Sequence, residues 1–231
     1  MTRDPHGDSP HAPTVTRTGT DGAAAPPPGA PRAPLATYRL LASLGDFRTL
    51  RLDDSLVRLK RWEFTGAGEI PEVFGAEWVG EEHWPASEFA SSYPDAPVLS
   101  ARVAGLLREE LLSAGRLVPV RRVRGAGPRK PGDAAELDHV VYVVEKVVDC
   151  LDPARSSAPR PPTGEIERAV FRPDALPVEL PAFRLPQFPV AVYWNAWAVD
   201  RLRALLGPQV EARLAWSQDP AARPHPNLWG V

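Results

Sequence analysis

The chain has 231 residues, 43% of them hydrophobic and 24% charged, a globular composition long enough for one ordinary domain or two small ones. A net charge of −2 excludes a general electrostatic pull toward nucleic acid or an anionic membrane. One cysteine excludes an internal disulfide framework and fits a reducing compartment; with no apolar run of the roughly 18 residues a membrane span needs, and no signal-peptide core, a cytoplasmic location is expected.

Residues 1–34 are rich in Pro, Ala, Gly and Thr and poor in large aliphatic side chains. They cannot bury enough apolar surface to offset the entropy of ordering, so a disordered tail is expected. Order is expected from Leu35 onward. "ATYRLLASL" reads as a first strand with Tyr38, Leu40 and Leu41 partly buried. "RTLRLDDSLVRLKRWEF" alternates Leu50, Leu52 and Leu56 and reads as strand, turn at Asp53–Asp54, strand. The acidic and aromatic region that follows is broken by Gly and Pro and reads mostly as loop, with short pieces of structure.

"SARVAGLLREELLSAG" places Val103, Leu106, Leu107 and Leu111 at helical spacing, with Ser100 as N-cap and Gly115 just past the end. "RLVPVRRVR" reads as a strand pushed toward an edge position by Pro119, and "GAGPRKPGD" as a loop. "HVVYVVEKVVDCL" is nearly continuous and β-branched, the pattern of a central strand. "IERAVFR" and "PAFRL" read as further strands. "VAVYWNAWAVDRLRALLGPQVEARLAW" gives strand, Asn195 cap, helix, Gly207–Pro208 stop and strand, the plan already seen around residue 100. The expected fold is a single α+β domain over residues 35–216, with a mixed sheet and two strand–helix–strand units. A loose tail over residues 217–231 follows, with Leu228 and Trp229 as anchor points.

The chain has no phosphate-cradling Gly-rich loop, nucleophile elbow or CxxC pair. Its five histidines are scattered, so no metal or other cofactor is expected. Asp149, Cys150 and Asp152 cluster after the apolar run. Neighbouring carboxylates raise a thiol's pKa, which points to Cys150 as a small core residue; alternation along a strand puts Asp149 and Leu151 on one face. Asp152, before Pro153, reads as a turn former.

Residues 62–101 hold eight acids and no Lys or Arg, with seven of the eighteen aromatics. A solvated rim, paired with the basic residues that follow, is one reading of this block. A second is a partner-binding face, with Trp78 and Trp84 as anchors and Glu81, Glu82 and Glu88 selecting a cationic partner; a third, a carboxylate pair for glycoside hydrolysis such as Glu82 with Glu88, has no support in the spacing.

"VVDCLDPARS", "VFRPDALP", "PAFRL" and "DRLRALLG", in that order, resemble a family of immunity proteins from bacterial polymorphic toxin systems. The family's Val-Asp-Cys-hydrophobic-Asp motif and later Phe-Arg-Leu strand fall here on Val148, Asp149, Cys150, Leu151, Asp152, Phe183, Arg184 and Leu185, with Ser156 between them. The resemblance spans residues 38–216 and is strongest from Val98 onward; the Pro-rich N-terminal arm and the insert at 159–162 depart from it. It implies a non-enzymatic cytoplasmic protein that binds and neutralises a cognate toxin, a basic one if the acidic block is the face, with no direct contact to nucleic acid or membrane. It implies structural roles for Asp149, Cys150, Asp152, Phe183 and Arg184. The residues themselves leave two alternatives open: a small-molecule or peptide-binding module (or an enzyme of unfamiliar type), and an adaptor docking through its N-terminal arm.

Overall fold

The computed structural model describes residues 34–43, 45–122 and 136–228. The tail predicted before residue 34, the predicted loop at 125–133 and the Trp229 anchor lie outside them. Four antiparallel strands form one sheet: β1 (Ala36–Ala42), with the later strands β8 (Ala182–Leu185), β9 (Phe188–Asn195) and β10 (Val210–Ser217), in the order β10-β1-β9-β8. Six others close into a barrel: β2 (Arg48–Leu52), β3 (Phe74–Val79), β4 (Ala86–Ser91), β5 (Val98–Ser100), β6 (Gly115–Arg122) and β7 (Glu136–Val144), in the order β2-β3-β6-β7-β5-β4. The barrel is mixed: β2 runs parallel to β4 and β3 parallel to β6, and the other pairs are antiparallel. Sheets and helices in one unit, residues 34–228, make the domain α+β. No described helix is long and apolar enough to cross a membrane.

β7 shows why its sequence is almost all apolar. Val141 and Val143 face the barrel interior with Leu50, Phe74 and Val118, while Tyr142 and Val144 face a second core with Leu99, Trp194 and Leu202. Burial on both faces removes the alternation a one-sided strand would show. β7 is also hydrogen-bonded on both sides, by β5 and β6, as its pattern predicted.

The two predicted strand–helix–strand units are present and share a topology. In the first, β5 leads through α2 (Ala101–Leu106) and α3 (Arg108–Leu112) to β6. In the second, β9 leads through α4 (Ala196–Leu206) and a single 3₁₀ turn to β10. In each unit the two strands do not pair with each other but flank a third, β7 or β1, and both run antiparallel to it. Ser100 caps α2 by accepting from the Val103 N–H. The helix then kinks at Leu107 (φ −111°, ψ 20°), although the Val103 and Leu107 carbonyls keep their bonds to the N–H groups four residues on.

Four expectations are corrected. Residues 54–65 are not a strand but a helix, α1 (Asp54–Thr65); Asp53 is its N-cap, accepting from the Ser55 N–H at 2.9 Å, and Gly66 (φ 67°) ends it. The region between α1 and β5 is mostly loop, as expected, and its short pieces of structure are β3 and β4, whose buried residues include the small Ala76, Ser87, Ala90 and Ser91. Pro119 does not mark an edge, since β6 lies inside the closed barrel; it sits one residue before the pairing with β3 begins at Val120, where a missing N–H costs no ladder bond. The central strand stops at Val144, and "IERAVFR" forms no strand. Among the described residues their ends meet only through single bridges, Val147 with Arg184 and Leu151 with Phe171, so Cys150 and Leu151 are buried together instead of alternating. The C-terminal segment is not loose through residue 228: the His225 N–H donates to the Leu214 carbonyl, and Leu228 is buried beside Cys150 and Phe171.

Candidate functional site

Where do the eight acids of the block point? Four are paired, three of them by bases from other elements. Glu63 meets Lys60 of its own helix at 2.6 Å, Glu77 meets Arg51 of β2, Glu88 meets Arg102 of α2 at 2.6 Å, and Asp95 meets Arg39 of β1. Only Arg102 belongs to the basic segment that follows the block. Glu69, Glu72, Glu81 and Glu82 have no ion-pair partner among the described residues.

Glu81 and Glu82 sit on the exposed β3–β4 turn, with His83 beside them. The turn is held by Gly80 at φ 115°, and a Cβ there would meet the Trp84 ring at 3.1 Å, so Trp84 folds back over the glycine. Trp78 stands at the foot of the turn, half-buried. Its ring meets His139 edge-on at 5.3 Å, and the Arg48 guanidinium lies 5.3 Å from its centroid. Trp78, near the end of β3, thus stands next to the turn that carries Glu81, Glu82 and Trp84. Glu88 does not join them: its carboxylate takes two bonds from Arg102 and one from the Ser100 hydroxyl, which hold its pKa below the ordinary value and tie β4 to the start of α2.

Cys150, Leu151 and Phe183 of the motif are built into a third core, with Phe171, Tyr193 and Trp216. Cys150 is fully buried, and burial, with the Asp149 carboxylate adding to it, pushes its thiol up to about 12. A thiol held neutral there is packing, not a nucleophile. Asp152 accepts from the Ala154 and Arg155 N–H groups and fixes the turn after the motif. Asp149 is exposed and accepts from the Gln187 amide. Ser156 exchanges bonds with the Val170 backbone. Phe183 stacks on Tyr193 and meets Phe171 edge-on. Arg184 is buried, bonded to the Pro189 carbonyl, with its guanidinium 4.9 Å from the Trp62 ring.

No protein-family model matches this chain, and no curated protein sequence is significantly similar to it.

One feature has no counterpart in the sequence reading. A buried seam of charge joins the barrel, α1 and the sheet. Arg39, Asp95, Glu63 and Arg184 are each at most 6% exposed. Asp95 accepts from Arg39 and from the Val192 N–H; Lys60 donates to Glu63, the Asp95 carbonyl and the Val190 carbonyl. A cleft of about 570 Å³ opens on this seam, between α1, the β4–β5 connection and the 163–165 turn. Neither His83, Asp149 nor Cys150 lines it. A shallower recess of about 340 Å³ adjoins it across Phe64 and is walled by Pro159, Pro161 and Pro162 of the insert. The seam was hidden because its partners are far apart in sequence, Arg39 and Asp95 by 56 residues.

Burial raises the Glu63 carboxyl from 4.5 to about 7, against the opposing pull of Lys60 and Arg184 and with a small push from Asp95. The folded chain thus holds this proton more tightly than the unfolded chain. That stability is complete below pH 4.5 and is lost as the pH rises through 7. Relative to Glu63→Gln, the wild-type unfolding free energy should fall by about 2 kcal/mol between pH 5 and pH 8. Urea midpoints at fixed ionic strength measure this, and parallel curves for the two proteins would contradict it.

Proposed function

We propose that the chain is a non-enzymatic immunity protein that binds a cognate toxin domain and blocks it by covering it. The observation that carries the reading is the β3–β4 turn. Of the acids in the block, Glu81 and Glu82 stand together on this exposed turn, between two tryptophans already fixed in place. Rigid aromatic anchors with an acidic tip suit a basic partner: the rings supply contact area, and the carboxylates steer its approach. The resemblance to immunity proteins supports the class of partner, and the motif residues other than the exposed Asp149 are engaged in packing or turn bonds and serve as scaffold.

The test is neutralisation. Co-expression with the toxin domain encoded beside this chain is expected to restore growth, and the two are expected to purify together. Continued killing by a folded, co-expressed chain would overturn the proposal. The small-molecule alternative is favoured by one observation of its own, the cleft on the charged seam.

A further inference from the structure

We propose that the cleft beside α1 is a binding site for a small organic cation, an ammonium group carried on an apolar body. The volume of about 570 Å³ lies within the range of small-ligand sites. Its walls are apolar: Phe64 and Tyr93 line it at 52% and 38% exposure, and Phe188 and Val190 lie behind them. Two large rings exposed over one hollow are available to an apolar body.

The charges decide which kind of body. An ammonium has three donors, and those of Lys60 already go to Glu63 and to the Asp95 and Val190 carbonyls, so Lys60 has none to offer an anion. The Lys60 ammonium also sits 5.2 Å from the Tyr93 centroid. One Asp95 oxygen accepts from both Arg39 and the Val192 N–H. At pH 8, above the Glu63 value of about 7, Lys60 with Glu63, and Arg39 with Asp95, are therefore compensated pairs.

Glu165 is different. It is half-buried at the rim and has no ion-pair partner among the described residues; Arg160, its backbone partner, sends its guanidinium to Glu167 instead. Its N–H donates to the Thr163 hydroxyl, which holds the turn that presents it. The cleft thus has apolar walls and one uncompensated negative charge. An anion meets the repulsion of Glu165. A neutral ligand leaves Glu165 partly desolvated and unpaired. A cation on an apolar body pairs with Glu165 and sets its charge against the aromatic faces.

The experiment titrates the full chain at pH 8 and low salt with 2-phenylethylammonium, 2-phenylethanol and phenylacetate, following backbone amide shifts. The ammonium is expected to saturate with a dissociation constant on the order of 1 mM. The alcohol should bind roughly ten-fold more weakly and the carboxylate not at all. Glu165→Gln, a rim substitution that leaves the fold intact, should weaken the ammonium by roughly ten-fold and leave the alcohol unchanged. Phenylacetate binding as tightly as the ammonium, an unchanged ammonium affinity in Glu165→Gln, or no saturation by roughly 20 mM would each overturn the proposal.

Discussion

Asp95→Ala is expected to cost about 3–5 kcal/mol of folding stability, enough to leave a chain of ordinary stability largely unfolded. The reason is what the substitution leaves behind. Arg39 lies in the middle of β1, fully buried, and its charge is compensated by Asp95 on the β4–β5 connection. Removing the carboxylate strands that charge in a low-dielectric interior. It also removes the acceptor of the Val192 N–H. Asp95 is thus a clasp between the barrel and the first sheet. The control is Glu77→Ala, which breaks the pair with Arg51, where the two side chains are 41% and 65% exposed. That change should cost less than about 1 kcal/mol. Urea unfolding measures both as a shift in midpoint. Equal costs at the two sites would show that the seam does not hold the two sheets together.

Gly115→Ala should be nearly as damaging, by about 3 kcal/mol or more. Gly115 opens β6 opposite Val144, and a Cβ there would lie 2.0 Å from the Val143 carbonyl oxygen. The obstacle is backbone, so no rotamer change relieves it, and β6 must move away from β7. The same substitution at Gly105, inside α2, meets nothing within 4 Å. There it should stabilise by about 0.5–1 kcal/mol, because alanine loses less freedom in a helix. The opposite signs, read by thermal or urea unfolding, separate close approach from helix propensity. A neutral Gly115→Ala would contradict the tight β6–β7 contact.

These positions also show what the sequence could and could not reveal. The α+β class, β7 and both strand–helix–strand units were legible because their signals are local: a long β-branched run, the Ser100 and Gly207 boundaries, an apolar stripe. α1 was not. Its buried face is Ser55, Leu59 and Glu63, while Val57 and Phe64 point outward, so its apolar residues mark the wrong side. β3 and β4, the short pieces of structure in the acidic region, could not be placed because much of what they bury is Ala and Ser, which resemble loop composition. At the candidate site, the acidic turn could be seen as a gap in basic residues. Which acids were paired could not, because Arg39, Arg51, Lys60 and Arg102 come from four different elements. Gly115 read as the residue after a helix; its close approach to Val143 depends on a pairing that begins 29 residues later.

The central claim is that Glu81 and Glu82 guide a basic partner onto the β3–β4 turn. The direct measurement is the association rate with the co-encoded toxin domain, for the wild type and for Glu81→Lys with Glu82→Lys, across a salt series. The variant is expected to associate roughly ten-fold more slowly at low salt, with a flatter salt dependence and an unchanged unfolding midpoint. An association rate and salt slope equal to the wild type's would remove this turn as the binding face.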